Sequence, residues 1–344
     1  MKAKQSAAQA CLMFLAATAV AAVLGGSATS VAATAATTVG GYGWPVAPFD
    51  QAHPVRAAVG DPRTIFRGSD PLSAPGTFSF HDGVDIDARN GTPVYAVVSG
   101  FVREVRDEGV VAQADDGRLF KYMHIVPSVR PGARVIARET VLGRVKNWAH
   151  ELHFSELTSV GAVVNPLQPG HLSPYRDATV PAIGQLHVRD LSGNRLAPFG
   201  LQGRVTLIAE AYDRPDLPAQ ARLSKFARDR FPVTPAVVTW SLATLGGRVV
   251  VATRTAVDFR DSTPDNEAFW SVYARGTYQN RSVIGARMHW LLPGRFLFKL
   301  TRSPLDTRRL ANGVYVVTVT AIDVAGNRSS VSERIEIWNP RNAQ

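Results

Sequence analysis

The stretch His81-Asp82-Gly83-Val84-Asp85-Ile86-Asp87-Ala88-Arg89-Asn90-Gly91-Thr92-Pro93-Val94-Tyr95 is the most informative part of this chain, together with Glu151-Leu152-His153-Phe154 about seventy residues later. Side chains of an extended strand alternate faces with a period of two. That count puts His81, Gly83 and Asp85 on one face, with Gly83 leaving the space between the two polar side chains open. It likewise puts Glu151 and His153 on a shared face and turns His150 away. Two imidazoles and one carboxylate form a recognised catalytic zinc set, with the fourth position left for water. By spacing alone, His81, Asp85 and His153 are either such a set or separate packed or solvated polar residues; the ordered motifs around them point to the zinc set.

Working outward, the segments Val84 to Ile86, Pro93 to Val98, Gly100 to Val105, Val110 to Ala114, Leu119 to Ile125 and Leu152 to Phe154 are short and rich in β-branched or aromatic residues. Gly, Pro, Asn and Asp separate them, which is the signature of strands. Asn90-Gly91 and Asp116-Gly117 are tight-turn dipeptides. No long helical period interrupts them, so the expected fold class is all-β.

The run HDGVDIDARNGTPVYAVVSGFV, His81 to Val102, is followed in order by Tyr122-Met123-His124-Ile125, Pro131-Gly132, Leu142-Gly143, Glu151-Leu152-His153-Phe154 and Asn165-Pro166. Upstream stand Trp44-Pro45 and Gly60-Asp61-Pro62-Arg63. From roughly Trp44 to Tyr175 this series resembles the lysostaphin-like (LytM-type) zinc endopeptidases. The resemblance implies a compact, mainly antiparallel β domain with the metal site in a groove on its face. It implies that His124 is a catalytic hydrogen-bond donor, on the Phe120, Tyr122, His124 face of its strand. One position departs from the family pattern: Glu151 stands where the family places a catalytic histidine, and the loop before it is shorter. Glu151 is then either a general base, as the Glu of His-Glu-x-x-His peptidases is, or a bystander or extra metal contact. Arg63 matches a family arginine that binds a substrate carboxylate or supports the groove.

The chain has 344 residues, 45% of them hydrophobic and 19% charged, enough for two domains. Lys2 and Lys4 precede an uncharged run from Cys11 to Leu24 and a small-residue stretch from Gly25 to Thr38. This reads as a secretory signal peptide cleaved between Ser30 and Ala36, the alternative being a retained anchor. The apolar run is too short to span a bilayer comfortably, so no stable membrane span is expected in the mature form. Cys11, the only cysteine, lies inside this segment, so no disulfide is expected. Net charge is +10, mostly arginine spread along the chain. Such a basic exported protein is either drawn to anionic cell-wall polymers or simply solvated by its arginines. Export and the absence of a binding motif argue against nucleic acid.

After Pro174-Tyr175 a second set of strands is expected at Pro181 to Leu191, Arg204 to Tyr212, Ala236 to Leu242, Arg248 to Val257, Arg295 to Thr301 and Tyr315 to Ile322. Asp213 to Phe231 reads as a long loop. The text NGVYVVTVTAIDVAGN, Asn312 to Asn327, resembles the last hairpin of bacterial immunoglobulin-like modules, and regular strands with turns between them suggest a β-sandwich. The expected organisation is residues 1–36 signal peptide and tail, 37–175 lysostaphin-like metallopeptidase, and 176–344 immunoglobulin-like sandwich. The expected function is a secreted or envelope zinc metalloendopeptidase acting on peptidoglycan peptides. Its alternative is a family member that binds peptidoglycan or regulates another wall hydrolase without cutting.

Overall fold

Val84 and Ile86, Leu152 and Phe154, and Phe120 and Tyr122 alternate along three neighbouring strands, and all six side chains are fully buried on one face. They build the core of the first sheet. Its order is Arg134–Val135, Gly100–Arg106, Gly109–Ala114, Leu119–Met123, Glu151–Leu157, Val84–Asp87, Val55–Ala57, with Val163–Val164 attached to Glu151–Leu157. Every pairing is antiparallel. A smaller sheet of Ile125–Pro127, Val141–Val145 and Pro93–Tyr95 contributes Ile125, Leu142 and Val94 to the same core. The Tyr122 hydroxyl accepts the Val97 N–H at 3.0 Å, tying the two layers together. Gly91 and Gly117 have φ of 81° and 91°, as the Asn-Gly and Asp-Gly turns require.

The computed structural model describes residues 29–31, 41–66, 76–147, 150–215, 232–278 and 294–340. The expected signal peptide, apart from 29–31, lies outside these residues, as do Cys11, Trp148, Ala149, His289 and most of the 213–231 loop. Thr29–Val31 pairs antiparallel with Arg328–Ile337. Among the described residues no helix is long and apolar enough to cross a membrane.

The fold is all-β, as expected from the strand pattern. Two expectations about individual segments are corrected. His81 and Asp85 do not share one strand: Gly76–Phe80 ends before His81, and Val84–Asp87 begins after a bend at Gly83. Gly83 is not a gap between ligands. A Cβ there would stand 2.3 Å from the Phe154 carbonyl oxygen and 2.6 Å from Ser155 Oγ, so glycine lets the neighbouring strand close in. Nor is Leu119 to Ile125 continuous, because His124 interrupts it with φ of 64°.

Beyond residue 175, one sheet runs Thr29–Val31, Arg328–Ile337, Gly313–Ile322, Val237–Thr244, Val249–Asp258. A second runs Arg195–Leu196, Ala182–Arg189, Arg204–Tyr212, Leu297–Lys299, with Leu305–Asp306 also paired to Arg204–Tyr212. The two share one core: Val205, Leu207 and Ala209 come from one sheet, Val238, Leu242, Val317 and Val319 from the other. Among the described residues no strand ladder joins 41–175 to 176–340. The cores nevertheless meet. Phe80, the residue before His81, packs into the second core, its ring centroid 5.5 Å from Phe269 and 5.7 Å from Phe259.

Candidate metal centre

Glu151–Leu157 lies beside Val84–Asp87 with His153 opposite Asp85 and Glu151 opposite Asp87. These residues point away from the apolar face that holds Leu152 and Phe154. The bend at Gly83 then swings His81 onto the same polar face. His81 Nε2 is 2.8 Å from His153 Nδ1 and 3.2 Å from Asp85 Oδ1, and His153 Nδ1 is 3.0 Å from Asp85 Oδ1. Zinc–nitrogen bonds of about 2.0 Å in a tetrahedron place neighbouring donor atoms about 3.3 Å apart. The three separations are close to that edge, so the donor set fits zinc in both chemistry and spacing.

The outer atoms of each donor are engaged. His81 Nδ1 lies 3.0 Å from the Ala58 carbonyl oxygen, which needs a proton on Nδ1 and leaves the Nε2 lone pair for a metal. Arg63 donates from Nη2 to Asp85 Oδ2 at 2.6 Å, leaving Oδ1 aimed at the two imidazoles. Arg63 thus supports the groove. His153 Nε2 lies 2.8 Å from Ser155 Oγ and 3.3 Å from Asp82 Oδ1, and Lys121 donates to Asp82 Oδ2 at 3.1 Å. Asp82, Ser155 and Ala58 were not singled out by strand alternation. Asp82 lies inside the quoted motif, yet alternation sends it to the face opposite His81; only the bend brings both to His153.

Without a metal the centre is strongly polarised. Burial, reinforced by Arg63, pushes the His81 imidazole down to about 4. Burial also opposes charge on His153, but hydrogen bonds to Asp82 and Asp85 outweigh it and raise that imidazole to about 9. Burial would raise Asp85, whereas His81, Arg63 and His153 hold it well below the usual carboxylate range. Asp82 is held low in the same way, chiefly by His153.

His124 reaches this face by an indirect route. Strand alternation would send it to the core with Phe120 and Tyr122, but its left-handed φ turns the ring toward His153, at 6.2 Å between centroids. Glu151 is buried, and its Oε2 lies 3.2 Å from Arg56 Nη1, which is also 3.8 Å from Asp87 Oδ1. Arg56 carried no signal in the sequence. His150 is exposed, with φ of 54°, and its backbone carbonyl accepts from Arg56 Nη1 at 3.0 Å. His171 joins a different network on the core side. Its Nδ1 lies 2.6 Å from the fully buried Glu156, to which Arg118 donates at 2.8 Å and Tyr42 donates a further bond.

A second cluster of possible ligands, Asp177, Asp213 and Asp323, lies buried at the start of the C-terminal region. Burial and mutual repulsion push Asp213 up to about 9, and burial foremost pushes Asp323 up to about 7. Asp213 therefore holds its proton at neutral pH.

The polar sheet face gathers two imidazoles and a carboxylate that could hold a metal ion. The family model for Peptidase family M23 matches residues 79–166, so the chain carries an M23 peptidase domain spanning His81, Asp85, His124, Glu151 and His153. Comparison with curated proteins finds no match. Among solved structures, the chain is similar to a mutant catalytic domain of the prophage-encoded M23 protein EnpA from Enterococcus faecalis, with 24% identity over 30% of this chain and 88% of that one and a TM-score of 0.24. It is also similar to a structure of the SpoIIQ-SpoIIIAH pore forming complex, with 18% identity over 38% and 90% and a TM-score of 0.30. A third is a zinc containing peptidase from Vibrio cholerae, with 23% identity over 33% and 39% and a TM-score of 0.24.

Proposed function

We propose that residues 37–175 are the catalytic unit of an exported zinc metalloendopeptidase that hydrolyses peptide crosslinks of peptidoglycan. Residues 1–36 act as its export signal and 176–344 as an immunoglobulin-like sandwich. The observation that carries this reading is the convergence of His81 Nε2, Asp85 Oδ1 and His153 Nδ1, each with its outer atom already engaged. Zinc in such a set supplies Lewis acidity, polarising a peptide carbonyl and acidifying water. The chain's own groups do the rest. Arg63, Ala58 and Ser155 orient the donors. Glu151, on the His153 side of its strand, accepts the proton of the attacking water. His124 donates a hydrogen bond to the developing oxyanion and helps protonate the leaving amine.

The second reading is a domain that keeps the metal and binds wall peptides without cutting. The Arg56–Glu151 ion pair favours it, because the position of the family's catalytic histidine is here tied to a guanidinium. One experiment separates the two: zinc content of the purified mature chain together with release of peptide fragments from isolated peptidoglycan. About one zinc per chain with release supports the peptidase. About one zinc with no release, while the chain still sediments with the wall, supports the binder.

A further inference from the structure

The C-terminal sandwich is open along one side, where two edge strands face each other. Val249–Asp258 ends one sheet and Leu297–Lys299 ends the other. The segment after Leu297–Lys299 runs past this opening, and Leu305–Asp306 pairs with the start of Arg204–Tyr212. Between these elements lies a half-open cleft of about 830 Å³, within the range of ligand sites, roughly 300–1,000 Å³.

The charge of its lining is one-sided. Arg204, Arg254, Arg302, Arg308 and Arg309 line the cleft, against a single carboxylate, Asp306. Arg308 takes that carboxylate, with Nε 2.8 Å from Asp306 Oδ1. The other four guanidiniums make no ion pair with any described carboxylate and are exposed. The arginines are not brought together by sequence: they come from three separate segments, and the sandwich edge gathers them.

We propose that this cleft binds an anionic oligomer carrying several phosphate or carboxylate groups, with the arginines taking successive oxyanions. Guanidiniums pair with such groups through two parallel hydrogen bonds. Four of them, without an ion pair and spread around one opening, exceed what a single oxyanion can engage, which selects a repeating ligand over a free ion. Nucleic acid fits poorly. Single-strand binders present exposed aromatic rings for base stacking, whereas Trp240, the aromatic residue of this lining, is only 5% exposed. The site is independent of the metal centre and would hold the chain on an acidic polymer whether or not the peptidase unit cuts.

The test uses the full mature chain and three probes of equal charge: a short glycerol-phosphate polymer, an oligogalacturonate and single-stranded DNA. Binding is measured at physiological salt. Replacing Arg254, Arg302 and Arg309 together by Gln is expected to weaken binding of the preferred probe about tenfold or more and to flatten its salt dependence. Replacing exposed Arg103, Arg130 and Arg195 by Gln removes the same charge elsewhere and is expected to change affinity less than about threefold. Preference for the glycerol-phosphate polymer or for the oligogalacturonate identifies the oxyanion, and either supports the proposal. Equal losses in the two triple variants, tighter binding to the DNA, or no binding by wild type would overturn it.

Discussion

Tyr273 of the C-terminal region donates its hydroxyl to the Gly60 carbonyl oxygen, 2.7 Å away, and so holds the loop that pairs with His81. Gly60 N–H donates to the His81 carbonyl and His81 N–H donates to the Asp61 carbonyl, both at 2.9 Å. Asp61 Oδ1 in turn accepts from Thr234 N–H at 2.6 Å, and Asn266 Oδ1 accepts from Phe80 N–H at 2.9 Å. His81 is therefore clamped from the second core on both sides. Gly60 is itself constrained: its φ is 91°, and a Cβ there would lie 2.4 Å from the Phe259 ring.

Tyr273→Phe keeps the ring packing but leaves the Gly60 carbonyl buried without that donor, a cost of about 1–3 kcal/mol. Outer partners of metal ligands typically change affinity 10–100-fold, and this contact lies one step further out. A loss of a few-fold to about tenfold in zinc affinity is expected, read by competition with a chelator. Unchanged zinc affinity would mean that the second core packs against the loop without positioning His81.

Zinc uptake is expected to release a proton from His153. Its imidazole is raised to about 9, so it is protonated at neutral pH in the metal-free chain, while His81, lowered to about 4, is already neutral. A metal must displace the His153 proton, so affinity rises by about tenfold per pH unit below 9 and levels off above it. Titrations at pH 7 in buffers of different ionisation enthalpy should show about one proton released per zinc. His153→Ala should abolish most zinc binding; full stoichiometry in that variant would remove His153 from the site.

The strands and donor residues were legible because they follow short-range rules. Alternation of polar and apolar residues marks Glu151 to Phe154 and Val84–Asp87, and the Asn90-Gly91 turn fixes its own geometry. What alternation could not supply was the bends. His124 and His81 reach the polar face through a left-handed residue and through a bend beside Gly83, whose missing side chain makes room for Phe154 and Ser155. Arg56, Ala58 and Tyr273 were invisible for a different reason. They act through long-range contacts, with no local pattern to announce them. The final strand, Arg328–Ile337, also went unread beyond its turn, because its outward positions are polar or charged and its exposed stretch resembles loop sequence.

Asp213→Asn should stabilise the chain most at alkaline pH. Asp213 and Asp323 are raised to about 9 and about 7 in the fold, against about 3.9 in an unfolded chain. The folded state therefore binds more protons than the unfolded state across that interval, and this cluster's contribution to stability falls as pH rises from about 4 to about 9. Asparagine keeps an oxygen to accept the Arg214 N–H and carries no charge. One pKa unit corresponds to about 1.4 kcal/mol, so even a fraction of the shift is measurable. Denaturant melts should show the variant's advantage growing from pH 5 to pH 9. A constant difference across that range would show that the carboxyl does not titrate there.

Glu151→Gln decides between cutting and binding. The amide keeps the shape but cannot accept a proton, and it removes the charge facing Arg56 at 3.2 Å. Loss of a buried partner of that kind costs about 1–3 kcal/mol, so zinc content and melting temperature must be measured beside activity. If Glu151 is the base, the variant keeps its zinc and loses most hydrolysis, on the order of 100-fold or more. Glu151→His places the family's residue at the same point of the strand and should retain or raise activity, although Arg56 then lacks its carboxylate. If the domain only binds, wild type releases no fragments and Glu151→Gln sediments with peptidoglycan as wild type does. An active wild type with a fully active, zinc-loaded Glu151→Gln would defeat the base role. Proton acceptance would then pass to His124, whose ring centroid lies 6.2 Å from that of His153, or to solvent.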